Sequence, residues 1–538
     1  MAAPRCGAAP SSPAGSSVTR AVSTPELKRA VEEALRFLSG QPGIREGEVF
    51  AASNRSLLTR LNYTSHIPCN GVEEPKSTEM HGLGIQAVFD SPDGARIGFG
   101  SEPSDLSVEG ARRALDKARR AAVHDPEFRS LPHPTGEPRT LVDYHDPALL
   151  AIGDERLVEA GWQVVTGGLR TFMASSRLAE LAGREAELKR LGLILGGDVT
   201  ILQERMAIAS TRMPEAQTDE STLMTSFVTA MVEARDAKGS GWATCTRLDH
   251  FTDEAGSEAA ANAVAAMDGE RVTTGDYTVI FGRQPVTDLL NNLVVPACRS
   301  GAFYSSSTPF LGKLGSRVAA PMLTIYDHGA MPGFTGSKGI TCEGLPTGRT
   351  DLIRDGVLVG LLSHWYDTQR LLNDPMLTQK LGASREAAAP ALVPRNGFRF
   401  DGGGRSFETR PGTAASNVIV EGADPVSLGT LIATVKDGLY IGRIWYTYPI
   451  NGLGKGDFTC TVVGDSCIIR DGRLARPLKV NTIRISDNIA RLLQHIIGIT
   501  KEVKGTVVWA ADEVVYAPEV AVTGVHVDEI AGFMETLD

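Results

Sequence analysis

Histidine and cysteine are the residues that most often hold a transition metal, and in this sequence they are few and scattered. The 538-residue chain has 10 His and 7 Cys. It contains no HExxH motif, no His pair at helical i,i+4 spacing and no Cys-x-x-Cys pair, the spacings that bring zinc ligands together. His328, His364 and His495 are therefore predicted to be surface or hydrogen-bonded core residues. The sequence leaves open whether His328, Cys342 and His364 meet in space.

Candidate nucleophiles are equally isolated. Residues 336–339 read Gly-Ser-Lys-Gly rather than Gly-x-Ser-x-Gly, and no strand, sharp turn and helix surround them. The serines at 305–307 stand in a predicted loop. For Cys298 and Cys342 a small buried side chain is the favoured interpretation, because a reactive thiolate needs a His and an electropositive setting. The sequence therefore disfavours a serine or cysteine hydrolase.

Two glycine-rich runs, at residues 401–405 and 451–456, resemble phosphate-binding loops only in composition. Such a loop must follow a strand and open a helix. The residues after Gly456 read Asp-Phe-Thr-Cys-Thr-Val-Val, which predicts a strand. Both runs are therefore predicted to be loops or bulges that could line a cavity.

The most informative segment is a predicted helix over residues 284–297. Its apolar residues recur at helical spacing and form a buried stripe. Asn291 and Asn292 stand in mid-helix, where Asn is a poor helix former, and Pro296 disrupts the end. Arg299 and Tyr304 follow directly. Asn292, Arg299 and Tyr304 are the candidates for contact with a substrate in a cavity, and Arg would suit a substrate carboxylate. Ordinary surface or packing roles remain open for all three.

Composition places the chain among globular proteins and argues against several functions. The net charge is -10, the hydrophobic fraction is 42% and the charged fraction is 22%. An acidic chain lacks the basic surface typical of nucleic-acid binders, and no apolar run is long enough to span a bilayer. The widely spaced, odd number of cysteines predicts a reducing, cytoplasmic compartment. Residues 1–22 lack the apolar core of a secretory signal and predict a disordered tail.

The elements that position these residues predict an α+β fold with two domains. Residues 23–273 form a mixed α/β domain with an antiparallel sheet. A helix begins after Ser23, where Ser and Glu26 form a capping box, and the turn at residues 91–94 joins two strands. Residues 227–237 are compatible with a strand or a helix. Residues 274–538 form a β-rich domain, in which Asp355-Gly356 and Asp471-Gly472 predict hairpins.

The order of several stretches resembles the TldD/PmbA family. The stretches lie at residues 82–85, 96–100, 275–281, 289–290, 314–327, 331–333, 343–358, 435–440, 456–459, 469–474 and 477–479. A helix ending at Asp125-Pro126 fits as well. The resemblance implies a mixed N-terminal domain, a β-rich C-terminal domain, paired subunits that enclose a cavity, and hydrolysis of peptides or amides.

The same resemblance locates a departure from the family pattern. It implies that the catalytic subunit type carries HExxxH on the helix after the first strand of the C-terminal domain, with a Cys near the chain end completing a zinc site. Here the helix reads Asn291-Asn292-Leu-Val-Val-Pro296, and residues 507–512 contain no Cys. A neutral amide is a poor zinc ligand and Pro has no side-chain donor. The chain is thus similar to the PmbA/TldE type, which lacks the metal motif.

Three hypotheses follow. In the leading one, the chain binds no cofactor and is the non-catalytic partner of a TldD-like subunit that binds zinc, and the heterodimer hydrolyses a peptide or amide. In the second, the same kind of subunit trims a peptide or amide intermediate in natural-product biosynthesis. In the third, the chain is a homodimeric binding protein without a hydrolytic partner. Neither a nucleic acid nor a membrane is expected as a partner.

Overall fold

The computed structural model describes residues 21–67, 71–92, 94–134, 141, 144–401, 404–508 and 513–530. Most of the predicted tail at residues 1–22 lies outside these ranges. The middle of the glycine-rich run at 401–405 also lies outside them. So do residues 509–512, part of the stretch where the family resemblance implies a metal-ligating Cys. Within the described residues, no helix is both long and apolar enough to cross a membrane.

The N-terminal half is built on one antiparallel sheet with helices packed against it. Its elements are α1 (Thr24–Ser39), β1 (Ile44–Thr64), β2 (Gly71–Val72), β3 (Lys76–Ser91), β4 (Gly94–Pro103), α2 (Val108–Arg120), β5 (Val123–His124), α3 (Pro147–Leu150), α4 (Asp154–Ala174), α5 (Ser176–Ala182), β6 (Leu193–Ser210), β7 (Gln217–Val232), β8 (Ala237–Cys245) and α6 (Glu254–Ala265). The strand order is β5-β4-β3-β1-β6-β7-β8, and β2 pairs with β1.

Small residues let the helices approach this sheet closely. The buried face of α2 carries Ala111, Ala114 and Ala118. A Cβ added to Gly98 on β4 would lie 1.8 Å from the carbonyl oxygen of Ala118, so any larger residue would push the helix away. Glu26 closes the start of α1 by accepting a 2.8 Å hydrogen bond from the backbone N–H of Ser23, which confirms the predicted capping box.

The pairing register of β7 shows that residues 227–232, which the sequence left open between strand and helix, form a strand. Residues 227–232 belong to β7, which pairs with β6 along its full length, from Leu193 opposite Val232 to Ile208 opposite Gln217. Along β7, side chains alternate between buried and half-buried positions. A strand therefore replaces the helical alternative, because tertiary pairing decides between them.

The C-terminal half contains two larger sheets around a helical core. Its elements are β9 (Gly275–Phe281), α7 (Arg283–Leu289), a π-helix (Leu290–Val294), α8 (Val295–Ala297), α9 (Ser300–Tyr304), β10 (Leu323–His328), β11 (Arg349–Arg354), β12 (Val357–Leu358), α10 (Trp365–Leu372), α11 (Leu377–Leu381), α12 (Arg385–Ala388), β13 (Gly397–Phe398), β14 (Gly412–Thr413), β15 (Asn417–Gly422), α13 (Leu428–Val435), β16 (Gly438–Ile441), β17 (Arg443–Pro449), β18 (Asp457–Gly464), β19 (Cys467–Arg470), β20 (Arg473–Pro477), β21 (Ile483–Asn488), α14 (Ile489–Gln494), β22 (Ile496–Ile499), β23 (Lys504–Thr506), β24 (Val514–Ala517) and β25 (Val520–Glu529).

The first of these sheets has the order β12-β11-β10-β15-β24-β23. The second has the order β17-β18-β21-β25-β9-β16-β19-β20, with β22 paired to β25. The apolar stripe of α7 and the π-helix packs between them in one buried cluster. The observed architecture is the predicted α+β fold. The domain boundary at residues 273 and 274 stays a prediction.

Both Asp-Gly hairpins predicted from the sequence are present. Asp355 and Gly356 have φ values of 49° and 77°, and Asp471 and Gly472 have values of 50° and 70°. Two consecutive positive φ angles define the turn whose twist matches that of paired strands. The turns connect β11 to β12 and β19 to β20.

A buried network of charges joins the two halves. Glu204 on β6 contacts the ammonium group of Lys338 and accepts a 2.9 Å hydrogen bond from the backbone N–H of Arg405. The Arg405 guanidinium donates a 2.5 Å hydrogen bond to Asp219 on β7, and Lys338 donates one of 3.0 Å to Ser221. Burial opposes the ionisation of Glu204, but the charges of Lys338 and Arg405 together lower its pKa to about 2.

The first prediction concerns this network. Replacing Glu204 by Ala leaves two cations buried without their common partner, so the free energy of unfolding should fall by about 3–5 kcal/mol. Urea unfolding of both proteins measures the change. Glu33→Ala, on the exposed face of α1, is the control and should change the value by less than about 0.5 kcal/mol. A loss for Glu204→Ala that is no larger than the control's would contradict the prediction.

Candidate functional site

A cavity of about 580 Å³ lies between the two halves of the chain. One wall is the face of β6, β7 and β8 that looks toward the C-terminal half. The second is the helical segment 283–297 with Arg299. The third is β17, and the remaining wall includes Val507, Val508 and Glu513. Since each half supplies part of the lining, the cavity exists only while the two halves stay docked.

The helix of this wall has a wider turn at Leu290–Val294, next to the Asn and Pro residues that the sequence marked as unfavourable for a helix. The backbone N–H of Val295 bonds to the carbonyl of Leu290, five residues back, so Leu290–Val294 form a π-helix. Pro296, which follows, has no N–H and cannot make the usual helical bond to Asn292. Asn291 and Asn292 both lie in the widened turn and line the cavity. Such π-turns occur often at functional sites.

Asp288 is the buried carboxyl group of this wall. It lies one turn before Asn292, whose side-chain amide donates to the Asp288 carboxylate at 2.6 Å and to its backbone oxygen at 2.9 Å. The hydroxyl of Thr447 on β17 donates to the other carboxylate oxygen at 3.1 Å. Burial raises the pKa of Asp288 to about 6, and these hydrogen bonds reduce the rise. The amide of Asn292 is thus committed to a neighbour within the chain.

Arg443, at the start of β17, is surrounded by aromatic rings. Its guanidinium carbon lies 5.2 Å from the ring centre of Phe227, 5.3 Å from that of Trp445 and 5.9 Å from that of Trp242. Phe227 and Trp242 belong to the N-terminal sheet, so this contact also joins the two halves. Burial lowers the pKa of Arg443. Cation–π attraction holds the charged side chain at the cavity wall.

Carboxyl groups line other parts of the cavity. Asp198 on β6 accepts a 3.3 Å hydrogen bond from the hydroxyl of Thr200, and burial raises the pKa of Asp198. Asp288 and Glu513 also border the space. The site therefore presents acidic, cationic and amide groups around an opening that also has aromatic surface. It can bind a ligand through several polar contacts together with ring contacts.

The structure brings together two of the three residues predicted from the sequence. Asn292 and Arg299 line the cavity. Tyr304 is not among the lining residues; its hydroxyl donates to Glu127, and its ring lies 4.1 Å from the guanidinium carbon of Arg370. Tyr304 therefore fastens α9 to the N-terminal half. Asp288 was missed, although its position four residues before Asn292 on one helix gave a usable signal. Nothing in the sequence pointed to Arg443.

The residues of the helix do not fit a zinc ion. Asn291, Asn292 and Pro296 supply no imidazole or carboxylate. In the part of the chain that the structure describes, no group of three His, Cys, Asp or Glu side chains could hold a metal. His328 accepts a 3.2 Å hydrogen bond from the N–H of Ala330, Cys342 packs in an apolar cluster, and His364 contacts Thr413 at 2.8 Å. These three side chains do not share a site.

Comparison with known proteins assigns the C-terminal half to a domain family. Residues 274–529 match the PmbA/TldA metallopeptidase C-terminal domain. The matched segment is just under half of the chain and forms a domain of the PmbA/TldD type. A metalloprotease of Synechocystis is 30% identical over 190 residues, which are 35% of this chain and 34% of that protein. Metalloprotease PmbA of Escherichia coli O157:H7 is 30% identical over 153 residues, 28% of this chain and 31% of PmbA. The match thus spans about a third of these relatives.

The likeness in three dimensions extends further along the chain. The crystal structure of TldE from Thermococcus kodakarensis superposes with a TM-score of 0.72 and covers 93% of this chain and 100% of that one. At 18% identity this likeness shows a shared fold. The TldD/PmbA fold therefore includes the N-terminal sheet that lines the cavity as well as the C-terminal half.

The second prediction concerns Asp288. Its pKa in the folded chain, about 6, lies above the usual value of 3.8, so its contribution to stability is greatest at low pH and is lost as pH rises through these values. Asp288→Asn removes the ionisation while keeping the shape. From pH 4 to pH 8 its free energy of unfolding should rise relative to the wild type by about 2–3 kcal/mol.

Urea unfolding across this pH range measures the difference. Asp90→Asn is the control, because its side chain is 69% exposed at the end of β3, and its curve should run parallel to that of the wild type. If the difference between Asp288→Asn and the wild type stays constant with pH, burial of an ionising Asp288 is excluded.

Proposed function

We propose that this chain is the non-metal-binding partner subunit of a TldD/TldE-type zinc metallopeptidase or amide hydrolase, and that it forms part of the substrate cavity. The observation that carries the proposal is the wall at Asn291, Asn292 and Pro296. This wall faces a cavity at the position where the family resemblance expects HExxxH. Zinc would belong to the partner chain, since the residues here do not fit it.

The cavity suits a passive role in binding. Asn292 and Thr447 hold Asp288 by hydrogen bonds, so this carboxylate is fixed in the wall. Trp242, Phe227 and Trp445 offer ring surface beside polar groups. An extended peptide has the alternating apolar and amide character that such a lining can contact. The chain would orient the substrate and exclude water, while the reacting groups come from the partner.

The edge strand β17 offers a surface for that partner. Three large side chains of β17 and one residue just after it are exposed. The exposed fractions are 37% for Trp445, 65% for Tyr446, 52% for Tyr448 and 39% for Ile450. Pairing with β18 is interrupted between Trp445 and Tyr448, and Tyr446 has a φ of 56°. The bulge turns rings outward at an unpaired sheet edge. Three of these residues also line the cavity, so a subunit docked here would close its opening.

The third prediction tests assembly. The purified chain is mixed with a TldD-like paralogue from the same organism that carries HExxxH. The two should elute together in size-exclusion chromatography, and only the mixture should hydrolyse a peptide library. Metal analysis should find zinc in the paralogue and in the mixture. A stable homodimer of this chain that neither binds the paralogue nor gains activity with it would contradict the proposal and favour a stand-alone binding protein.

The fourth prediction tests the docking surface. Tyr448→Asp places a charge on the exposed edge of β17, where desolvating it would oppose binding, so the dissociation constant for the paralogue should rise about tenfold or more. Surface plasmon resonance measures it. Met173→Asp is the matched control, because Met173 is 61% exposed on α4, away from this edge. Equal affinities for the two variants would exclude β17 from the interface.

A further inference from the structure

Two arginines line the cavity, and neither Arg299 nor Arg443 forms an ion pair with another described residue. The Nε of Arg299 is shielded and has no hydrogen-bond partner among the described residues. The charge of Asp465 acts on Arg443, but burial outweighs it and lowers the pKa of the guanidinium. Arg399 and Arg405 also have an unpaired Nε, but their guanidinium groups form ion pairs with Glu48 and Asp219. An unpaired guanidinium at a cavity wall is a ready donor for an anion.

The surroundings of Arg443 increase its strength as a donor. The three rings around it shield it in part from water, and a charge in a region of lower dielectric attracts an opposite charge more strongly. Asp465, whose charge acts on Arg443, also accepts a 3.2 Å hydrogen bond from the backbone N–H of Ser240. The rings also hold the guanidinium in place, so little side-chain freedom is lost when a ligand binds.

Asn291 adds a second kind of donor and acceptor. Both polar atoms of its side-chain amide are shielded from water and have no hydrogen-bond partner among the described residues. A buried amide left unpaired is unfavourable. One amide can donate to a carbonyl and accept from an N–H, which is the pattern that a peptide group presents. Arg299 has a similarly unpaired Nε.

The acidic residues of the lining limit which anions the cavity could bind. Asp198 and Asp288 border the same space, so a polyphosphate or a nucleic acid would meet repulsion. A single carboxylate on an otherwise neutral chain would meet less repulsion, because it carries only one charge. We propose that this cavity binds the carboxylate of a peptide through Arg299 and Arg443, with Asn291 pairing to the adjoining peptide group. The proposal rests on the function proposed above only in placing a peptide in this cavity.

Three acetylated tetrapeptides test the proposal by isothermal titration calorimetry on the full chain. The first is N-acetyl-tetraalanine with a free C-terminal carboxylate. The second is its C-terminal amide, and the third is the amide with one internal Glu. A carboxylate peptide should bind about tenfold or more tightly than the neutral amide. The first and third peptides distinguish a C-terminal carboxylate from that of a side chain.

Variants assign the contact. Arg443→Gln and Arg299→Gln should each weaken binding of the preferred carboxylate peptide about tenfold and leave the neutral amide unchanged. Arg120→Gln, on the exposed end of α2, is the matched control and should have no effect. Circular dichroism checks that each variant folds, and Arg299→Lys, which keeps the charge without the planar fork, should bind with intermediate affinity.

The proposal is overturned if the neutral amide binds as tightly as both carboxylate peptides, or if folded Arg299→Gln and Arg443→Gln bind like the control. Because the titration uses the chain alone, it can fail while assembly with a metal-binding paralogue succeeds. The reverse can also occur. The two proposals are therefore tested separately.

Discussion

The buried ion network at Glu204 and Asp219 is the constraint on which the cavity depends. These carboxylates sit on adjacent long strands of the N-terminal sheet, while Lys338 and Arg405 come from separate loops of the C-terminal half. A buried charge without its partner is strongly unfavourable, so the loops can occupy only the position in which both cations are matched. That position sets the distance between the sheet face and β17, and the cavity is the space left between them.

Electrostatics inside the cavity follow from this docking. Arg443 reaches from β17 to rings of the opposite half, and Thr447 on the same strand donates to Asp288 on the helix. The strand thus links the helical wall to the N-terminal sheet. Gln284 strengthens the link through two hydrogen bonds. Its side-chain oxygen accepts from the backbone N–H of Ile444 at 2.9 Å, and its side-chain NH₂ donates to the backbone oxygen of Ile444 at 3.2 Å. A shift of β17 would disturb all of these contacts together.

The sequence predicted those structural features that are determined by residues close together in the chain. The capping box at Ser23 and the hairpins at Asp355 and Asp471 were predicted because a few neighbouring residues determine them. The disturbed helix at Asn291 and Pro296 was located for the same reason. The rings around Arg443 and the contact of Tyr304 with Glu127 join residues far apart in sequence, and no local pattern encodes them. The strand at residues 227–232 also needed its partner, β6, before its type was decided.

The unpaired polar groups beside the π-helix have a physical meaning. Buried polar groups are usually satisfied by a neighbour within the chain, as Asp288 is by Asn292 and Thr447. Among the described residues, the amide of Asn291 and the Nε of Arg299 are shielded and unpaired, and each such group costs about 1–3 kcal/mol. A ligand or partner that pairs them recovers this free energy on binding. The arrangement therefore favours the bound state of the cavity over its empty state.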